Sequence, residues 1–207
     1  MKYDAIIVAN GKGERANLGF NKVFYVMKNG KTVLENACSK FIEDEECQKV
    51  IIVTNEKDKV FKNDKIEIVD GGATRANSVY NGLCKAEDEV VFIHDGARPF
   101  LTKEDLENLK EQIKHYDGVI IAKKATDTIK LTKDGFVQKT LDRESVYQAL
   151  TPQVFKTELI KQAYDTLDVS ECTDDASVFE KYNHQVKVVE GNPNNIKLTL
   201  ESDFENL

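Results

Sequence analysis

Short apolar runs rich in Val and Ile alternate along the chain with segments whose apolar residues recur every three or four positions. The runs are "AIIVA" (5–9), "KVIIVT" (49–54), "KIEIVD" (65–70), "EVVFIHD" (89–95) and "GVIIA" (118–122). Their nearly unbroken apolar content predicts strands covered on both faces, the habit of a parallel sheet. The segments between them predict helices over 32–44, 74–86 and 102–116, the last opened by Thr102 with Asp105 three positions on as a capping box. Farther along, the pattern predicts a helix around 156–167, a helix opened by Thr173 in "TDDASVFEKY", a strand over 185–191, a strand-like "NIKLT" at 195–199 and a short helical end. This alternation predicts an α/β fold with a doubly wound, mostly parallel sheet. Such sheets bind ligands beyond the carboxyl ends of their strands, which directs attention to the loops after residues 9, 54, 70, 95 and 122.

One segment breaks the rhythm. "TDTIKLTKDGFVQKTLD" (126–142) alternates polar and apolar residues around Asp134-Gly135, the period and turn chemistry of a β-hairpin. A hairpin has no core of its own, so two placements are open: an arm over 123–146 that projects onto a partner subunit, or an extension at the sheet edge.

Composition narrows the partners. A chain of 207 residues suits one domain over 1–207, and its net charge of −7 supplies no overall basic field for DNA or RNA. An anionic ligand must then be held by a local basic cluster. No apolar stretch approaches the ~18 residues of a membrane span, and "MKYDAIIVAN" lacks the length and cleavage site of a signal peptide, so a cytoplasmic location is expected. Cys38, Cys47, Cys84 and Cys172 show no C-x-x-C spacing and read as reduced thiols. His94, His115 and His184 are too dispersed for a metal motif, and the side chain of His94 should point opposite to that of Asp95 on its strand.

Candidate chemistry concentrates in "VANGKGERANLGFNK" (8–22). Gly11, Gly13 and Ala16 satisfy the dinucleotide pattern G-x-G-x-x-[GA] directly after a strand. That pattern needs a helix to begin at once, whereas Asn17, Gly19 and Asn21 interrupt helical propensity. It also needs an acidic residue about twenty positions on, at the end of a second strand; here the next strand begins only near Lys49. A P-loop fails because no G-K-[ST] follows at the required spacing. What remains is a glycine loop whose N–H groups can approach phosphates, carrying Arg15 and Lys22 as a cradle for a polyphosphate.

At this point "AIIVANGKGERANLGFNK" resembles the signature loop of nucleotidyltransferases that activate sugar or polyol phosphates. The similarity continues through "GGATRANSVYNGL" (71–83), "VFIHDGARPFL" (91–101), "DT" (127–128), "DRESVYQALTPQVF" (142–155), "TDDAS" (173–177) and "VVEGNPNNIKLT" (188–199). Together the segments are similar to the 2-C-methyl-D-erythritol 4-phosphate cytidylyltransferase family and cover almost the whole chain. The resemblance implies CTP and a polyol phosphate as partners, a divalent cation such as Mg²⁺ as cofactor, and a homodimer. It implies Arg15, Lys22 and Lys197 as the catalytic cations and Ala9, Asn10, Gly11, Gly13, Gly72, Ser78, Asp95 and Gly96 as the nucleotide site, with Gly71 helping to hold the base loop. It further implies Asp95, Arg98, Thr128, Arg143, Thr151, Thr173 and Lys197 around the polyol phosphate, and Asp95 as metal ligand. Arg143, on the arm, would act in the neighbouring subunit.

Departures from the family pattern are specific. Asn10 stands where a small alanine is usual, Asn21 replaces a common proline, and Ala73 replaces an acidic residue. Lys123, Lys124 and Ala125 replace a more apolar lead into "DT", and the last helix, ending at Leu207, is shorter. A ribitol 5-phosphate cytidylyltransferase remains an alternative, although its "HD" more often continues with Ser-Val than with Gly96-Ala97. An NAD(P)-dependent oxidoreductase and a non-catalytic nucleotide-binding protein are alternatives from other classes.

Overall fold

A computed structural model describes every residue except Lys12, Glu14, Arg15, Asn17 and Asn206. Among the described residues, nine strands are formed by Tyr3–Val8 (β1), Cys47–Val53 (β2), Ile66–Val69 (β3), Val90–Asp95 (β4), Gly118–Lys124 (β5), Lys130–Lys133 (β6), Phe136–Thr140 (β7), Tyr147–Lys156 (β8) and Lys187–Glu190 (β9). The α-helices among the described residues are Val33–Glu43 (α1), Arg75–Leu83 (α2), Lys103–Gln112 (α3), Thr157–Thr166 (α4) and Asp175–Lys181 (α5). Seven strands make one sheet in the order β3-β2-β1-β4-β8-β5-β9. All its pairings are parallel except those of β8, which runs antiparallel to both β4 and β5.

Alternation along β1 explains why helices are needed on both faces. Tyr3, Ala5 and Ile7 enter a core with Leu34, Cys38 and Phe41 of α1 and Leu106 and Leu109 of α3. Ile6 enters a second core with Val79 and Leu83 of α2, Ile160 of α4 and Phe179 of α5. Burying both faces of a sheet is the dominant favourable term in such a fold, at roughly 25 cal/mol per Å² of apolar surface.

The helix starts are set by short polar side chains. Thr32 with Glu35 and Thr102 with Asp105 form reciprocal capping boxes, as the sequence predicts for Thr102. Helix α5 is capped by Asp174, not by the expected Thr173: the Asp174 carboxylate accepts from Ser177 N. Residues 195–199 form no strand. Their polar groups are drawn into side-chain bonds: the Asn195 carbonyl accepts from Arg98 Nη1 at 2.8 Å, and Asn195 Nδ2 donates to the Thr151 carbonyl at 2.8 Å.

Strand β8 has no counterpart in the sequence expectations. Gln148, Thr151 and Gln153 dilute its apolar content, and Pro152 argues against a central strand. The sheet accommodates the proline because the β5–β8 register jumps from Ile120 opposite Gln153 to Ala122 opposite Ala149. Pro152 falls within that irregularity. Strands β6 and β7 pair as the predicted hairpin, with Asp134 and Gly135 at φ of 52° and 82° in the turn, and form a separate two-stranded ribbon.

Candidate active site

The loops that follow β1, β2 and β3, with the end of β4, bound a cavity of about 1000 Å³. Asn10 ties three of these loops together: its Nδ2 donates to the Gly72 carbonyl at 3.2 Å, and its Oδ1 accepts from Asn55 N at 3.0 Å. Asn55 Oδ1 in turn accepts from Gly71 N at 2.9 Å. A Cβ at Gly71 would overlap the Asn10 side-chain amide, so the asparagine and the glycine are matched to each other. Ser78 completes the support, accepting from Gly72 N and donating to the Thr74 carbonyl, each at 3.0 Å.

Asn21 explains itself similarly. Its Nδ2 donates to the Ala9 carbonyl at 2.9 Å, and its side chain caps the 3-10 turn Lys22–Phe24. Lys22 is thereby fixed at the cavity wall, only 8% exposed. Gly13 permits the close approach behind it: at φ of 67° it has no Cβ, and one would lie 3.3 Å from Lys22 N. Among the described residues the first α-helix begins only at Val33, far from the helix start directly after the glycines that a dinucleotide fingerprint requires.

At the carboxyl end of β4 the large cavity meets a smaller one of about 260 Å³, and Arg75, Asp95 and Lys197 line both. The Asp95 carboxylate faces three cations: Lys197 Nζ at 2.9 Å, Arg98 Nε at 3.4 Å and Arg75 Nε at 3.5 Å. Burial alone would raise its carboxyl, but Arg75, Lys197 and Arg98 together hold it well below the usual carboxylate range. Asp95 is therefore ionised, inside an excess of positive charge suited to phosphate oxygens.

Among the described residues, no group of three or more His, Cys, Asp or Glu converges as a metal cage would require. Mg²⁺ is commonly held by one or two carboxylates together with substrate phosphates. Asp95 fits that donor set only for an ion that arrives with a polyphosphate.

Behind Asp95 lies a neutral relay. The Thr151 hydroxyl accepts from Asp95 N at 3.0 Å and donates to His94 Nδ1 at 2.9 Å, while His94 Nε2 donates to the Arg98 carbonyl at 3.0 Å. His94 is fully buried, and burial lowers its imidazole to about 4. An unfolded histidine takes a proton near pH 6.5, which the folded chain refuses until about pH 4. Stability should thus fall as pH drops through this window, by up to about 3 kcal/mol. Denaturation midpoints measured across it should show that slope, and His94→Gln should flatten it.

The structure brings most of the sequence-predicted residues to these cavities. Asn10, Gly11, Gly13, Lys22, Gly72, Ser78, Asp95 and Lys197 line the larger one. Asp95, Arg98, Thr151, Thr173 and Lys197 line the smaller. Ala9 and Gly96 do not line either; they are buried beneath, with Ala9 N bonded to the Val53 carbonyl and Gly96 N to the Val8 carbonyl, both at 2.9 Å. Thr128 and Arg143 are exposed near the ribbon, away from both cavities, and Arg143 Nη1 donates to the Thr126 carbonyl at 3.2 Å. Arg15 lies outside the described residues.

Sequence reasoning missed Arg75, although a signal existed. It is the first residue of α2, where the helix dipole disfavours a cation, so a compensating partner should have been sought.

An open α/β sheet with a glycine-lined cavity at its strand ends, walled by Lys22, Arg75 and Lys197, is the frame of a protein that holds phosphorylated ligands. The family model described as "IspD: 2-C-methyl-D-erythritol 4-phosphate cytidylyltransferase" matches residues 3–206. The protein of that name from Geobacillus kaustophilus is 38% identical over an alignment of 216 positions, covering 99% of this chain and 94% of that one. The crystal structure of the Francisella tularensis 2-C-methyl-D-erythritol 4-phosphate cytidylyltransferase superimposes with a TM-score of 0.84 at 34% identity, covering 98% of this chain and 96% of that one. The Anaerococcus prevotii 4-diphosphocytidyl-2C-methyl-D-erythritol synthase also reaches 0.84, at 35% identity over 98% of this chain and 93% of that one. The chain belongs to the 2-C-methyl-D-erythritol 4-phosphate cytidylyltransferase family and is a nucleotidyltransferase.

Proposed function

We propose that this enzyme joins CTP to 2-C-methyl-D-erythritol 4-phosphate, yielding 4-diphosphocytidyl-2-C-methyl-D-erythritol and pyrophosphate. The observation that carries the reading is the meeting of two cavities at Asp95, Arg75 and Lys197. The larger has room for a nucleotide, and the smaller for a short polyol phosphate. A phosphate oxygen of the polyol attacks the α-phosphorus of CTP, a new P–O bond forms, and the bond to the β-phosphate breaks. Negative charge accumulates on crowded oxygens, so the protein contributes position and fixed positive charge without a covalent intermediate.

Lys22 and Lys197, with Arg15, neutralise that charge. Asp95 keeps Lys197 and Arg98 oriented. A divalent cation bound with the triphosphate would withdraw further charge from its oxygens, with Asp95 as its protein ligand. Pyrophosphate release measured with CTP, Mg²⁺ and each polyol phosphate separately tests the reading. Turnover with ribitol 5-phosphate alone would overturn it.

The active unit in this reading is a cytoplasmic homodimer. The ribbon exposes Phe136 (75%), Val137 (60%) and Leu131 (53%), and an isolated two-stranded hairpin is marginal unless something covers it. A second copy would cover the ribbon and receive Arg143 at its polyol cavity. The four cysteines are free thiols, which suits a reducing compartment. No helix among the described residues is long and apolar enough to cross a membrane. Mixing Arg143→Ala with Lys22→Ala subunits should restore part of the activity that each variant lacks alone, because one shared site of the mixed dimer would be intact. Absence of complementation would remove the shared site.

A further inference from the structure

A bidentate ion pair with a fully buried carboxylate lies just behind the junction of the cavities. Arg75 Nη1 and Nη2 donate to the two oxygens of Asp175 at 3.0 and 2.7 Å, a bidentate fork, while its Nε points to Asp95. Asp175 is fully buried, and Tyr164 donates a third bond to it at 2.7 Å. The two partners occupy equivalent places in the chain. Arg75 is the first residue of α2, directly after the Gly72–Thr74 wall of the larger cavity; Asp175 is the first residue of α5, directly after the Thr173–Asp174 wall of the smaller.

Burying such a pair is a poor source of stability, because desolvation consumes most of the attraction. Geometry is the better account. Arg75 lines both cavities, whereas Asp175 lines neither and acts only through Arg75. A guanidinium has five N–H donors, of which three are directed at Asp175 and Asp95, so two remain for a ligand. Without Asp175 the fork would turn fully onto Asp95 and pull that carboxylate away from Lys197. The base-reading loop would be spared, because Asn10, Asn55 and Ser78 hold it independently.

We propose that Asp175 is a positioning residue: it holds the Arg75 guanidinium across the cavity junction, where Arg75 binds the phosphate of the polyol substrate and sets the orientation of Asp95. This rests on the function proposed above. Steady-state kinetics of the full chain, varying CTP and the polyol phosphate separately, tests it. Asp175→Asn should raise the KM for the polyol phosphate about tenfold or more, the worth of one charge-assisted hydrogen bond, with the KM for CTP nearly unchanged. Asp175→Asn added to Arg75→Lys should cost little more than Arg75→Lys alone, as expected of residues acting as a unit.

Equal rises in both KM values, no change in either, or strictly additive losses would overturn the assignment. Should Asp175→Asn not fold, Tyr164→Phe removes only one bond to the carboxylate and should produce a smaller rise in the same KM; an unchanged KM would then refute the proposal. Failure of the wild-type chain to turn over CTP with the polyol phosphate would overturn the function and this inference together. Wild-type turnover without the selective shift would overturn the inference alone.

Discussion

Lys22→Ala is expected to lower turnover by about two to three orders of magnitude, the usual cost of removing one preorganised donor worth ~2.7–4 kcal/mol. The fold should survive, because this corner has supports besides the lysine. Asn21 bridges the Ala9 carbonyl and caps the following turn, and Val23 enters the core. The ammonium contributes charge at a wall already held by others. Pyrophosphate release measured beside thermal unfolding will separate the two effects, and wild-type turnover in a folded Lys22→Ala protein would end the electrostatic account of catalysis. The KM for CTP should change less than kcat, since charge on the phosphates grows as the transition state is reached.

Asp95→Asn should damage both stability and activity. Its carboxylate is the common partner of Arg75, Arg98 and Lys197. Neutralising it leaves three cations confronting one another, Arg98 nearly buried and Arg75 and Lys197 partly open to solvent, so the loss should fall below the ~3–5 kcal/mol of breaking a fully buried pair. Anions should partly substitute for the missing charge. Pyrophosphate ought therefore to raise the melting temperature of Asp95→Asn more than that of the wild type, since a ligand stabilises in proportion to its preference for the folded state. Equal pyrophosphate shifts in the two proteins would show that Asp95 does not neutralise these cations. Turnover should remain low even when pyrophosphate-stabilised protein is diluted into substrate, because Lys197 and Arg98 lose the group that aims them.

What could be read from the sequence follows from the range of each interaction. Strands β1, β2 and β4 are buried on both faces and announce themselves as Val/Ile runs; α1 and α3 announce themselves through Thr caps a few residues from their partners. Strand β8 was illegible because its neighbours lie elsewhere in the chain. Its polar residues have particular partners there: Thr151 meets His94 and Asp95, and Gln153 donates to Asp174 at 2.7 Å. The segment 195–199 misled for the converse reason, since its apolar alternation is local while its hydrogen bonds are distant.

The site divides in the same way. Glycines and lysines in "VANGKGERANLGFNK" carry the proposed phosphate cradle, and the resemblance supplies the order of its parts. Asn10 and Asn21, departures when considered one position at a time, make sense only with Gly71, Asn55 and Ala9 brought beside them by the fold. Asp175 lies within the matched "TDDAS" segment, but nothing singled it out there, because an acidic residue in the first turn of a helix is ordinary.

The insertion of β8 between β4 and β5 has a consequence for the order in which the molecule is made. During synthesis β1 to β4 can pair as soon as they emerge, since each finds a neighbour already present. Strand β5 cannot join them directly; it must wait for β8, some thirty residues later, to be laid between. Thr151 arrives with β8, and Lys197 arrives after it. The growing chain therefore passes through a stage in which the loops after β1 to β4 can be in place while Thr151 and Lys197, which complete the cavity junction, are still to be added.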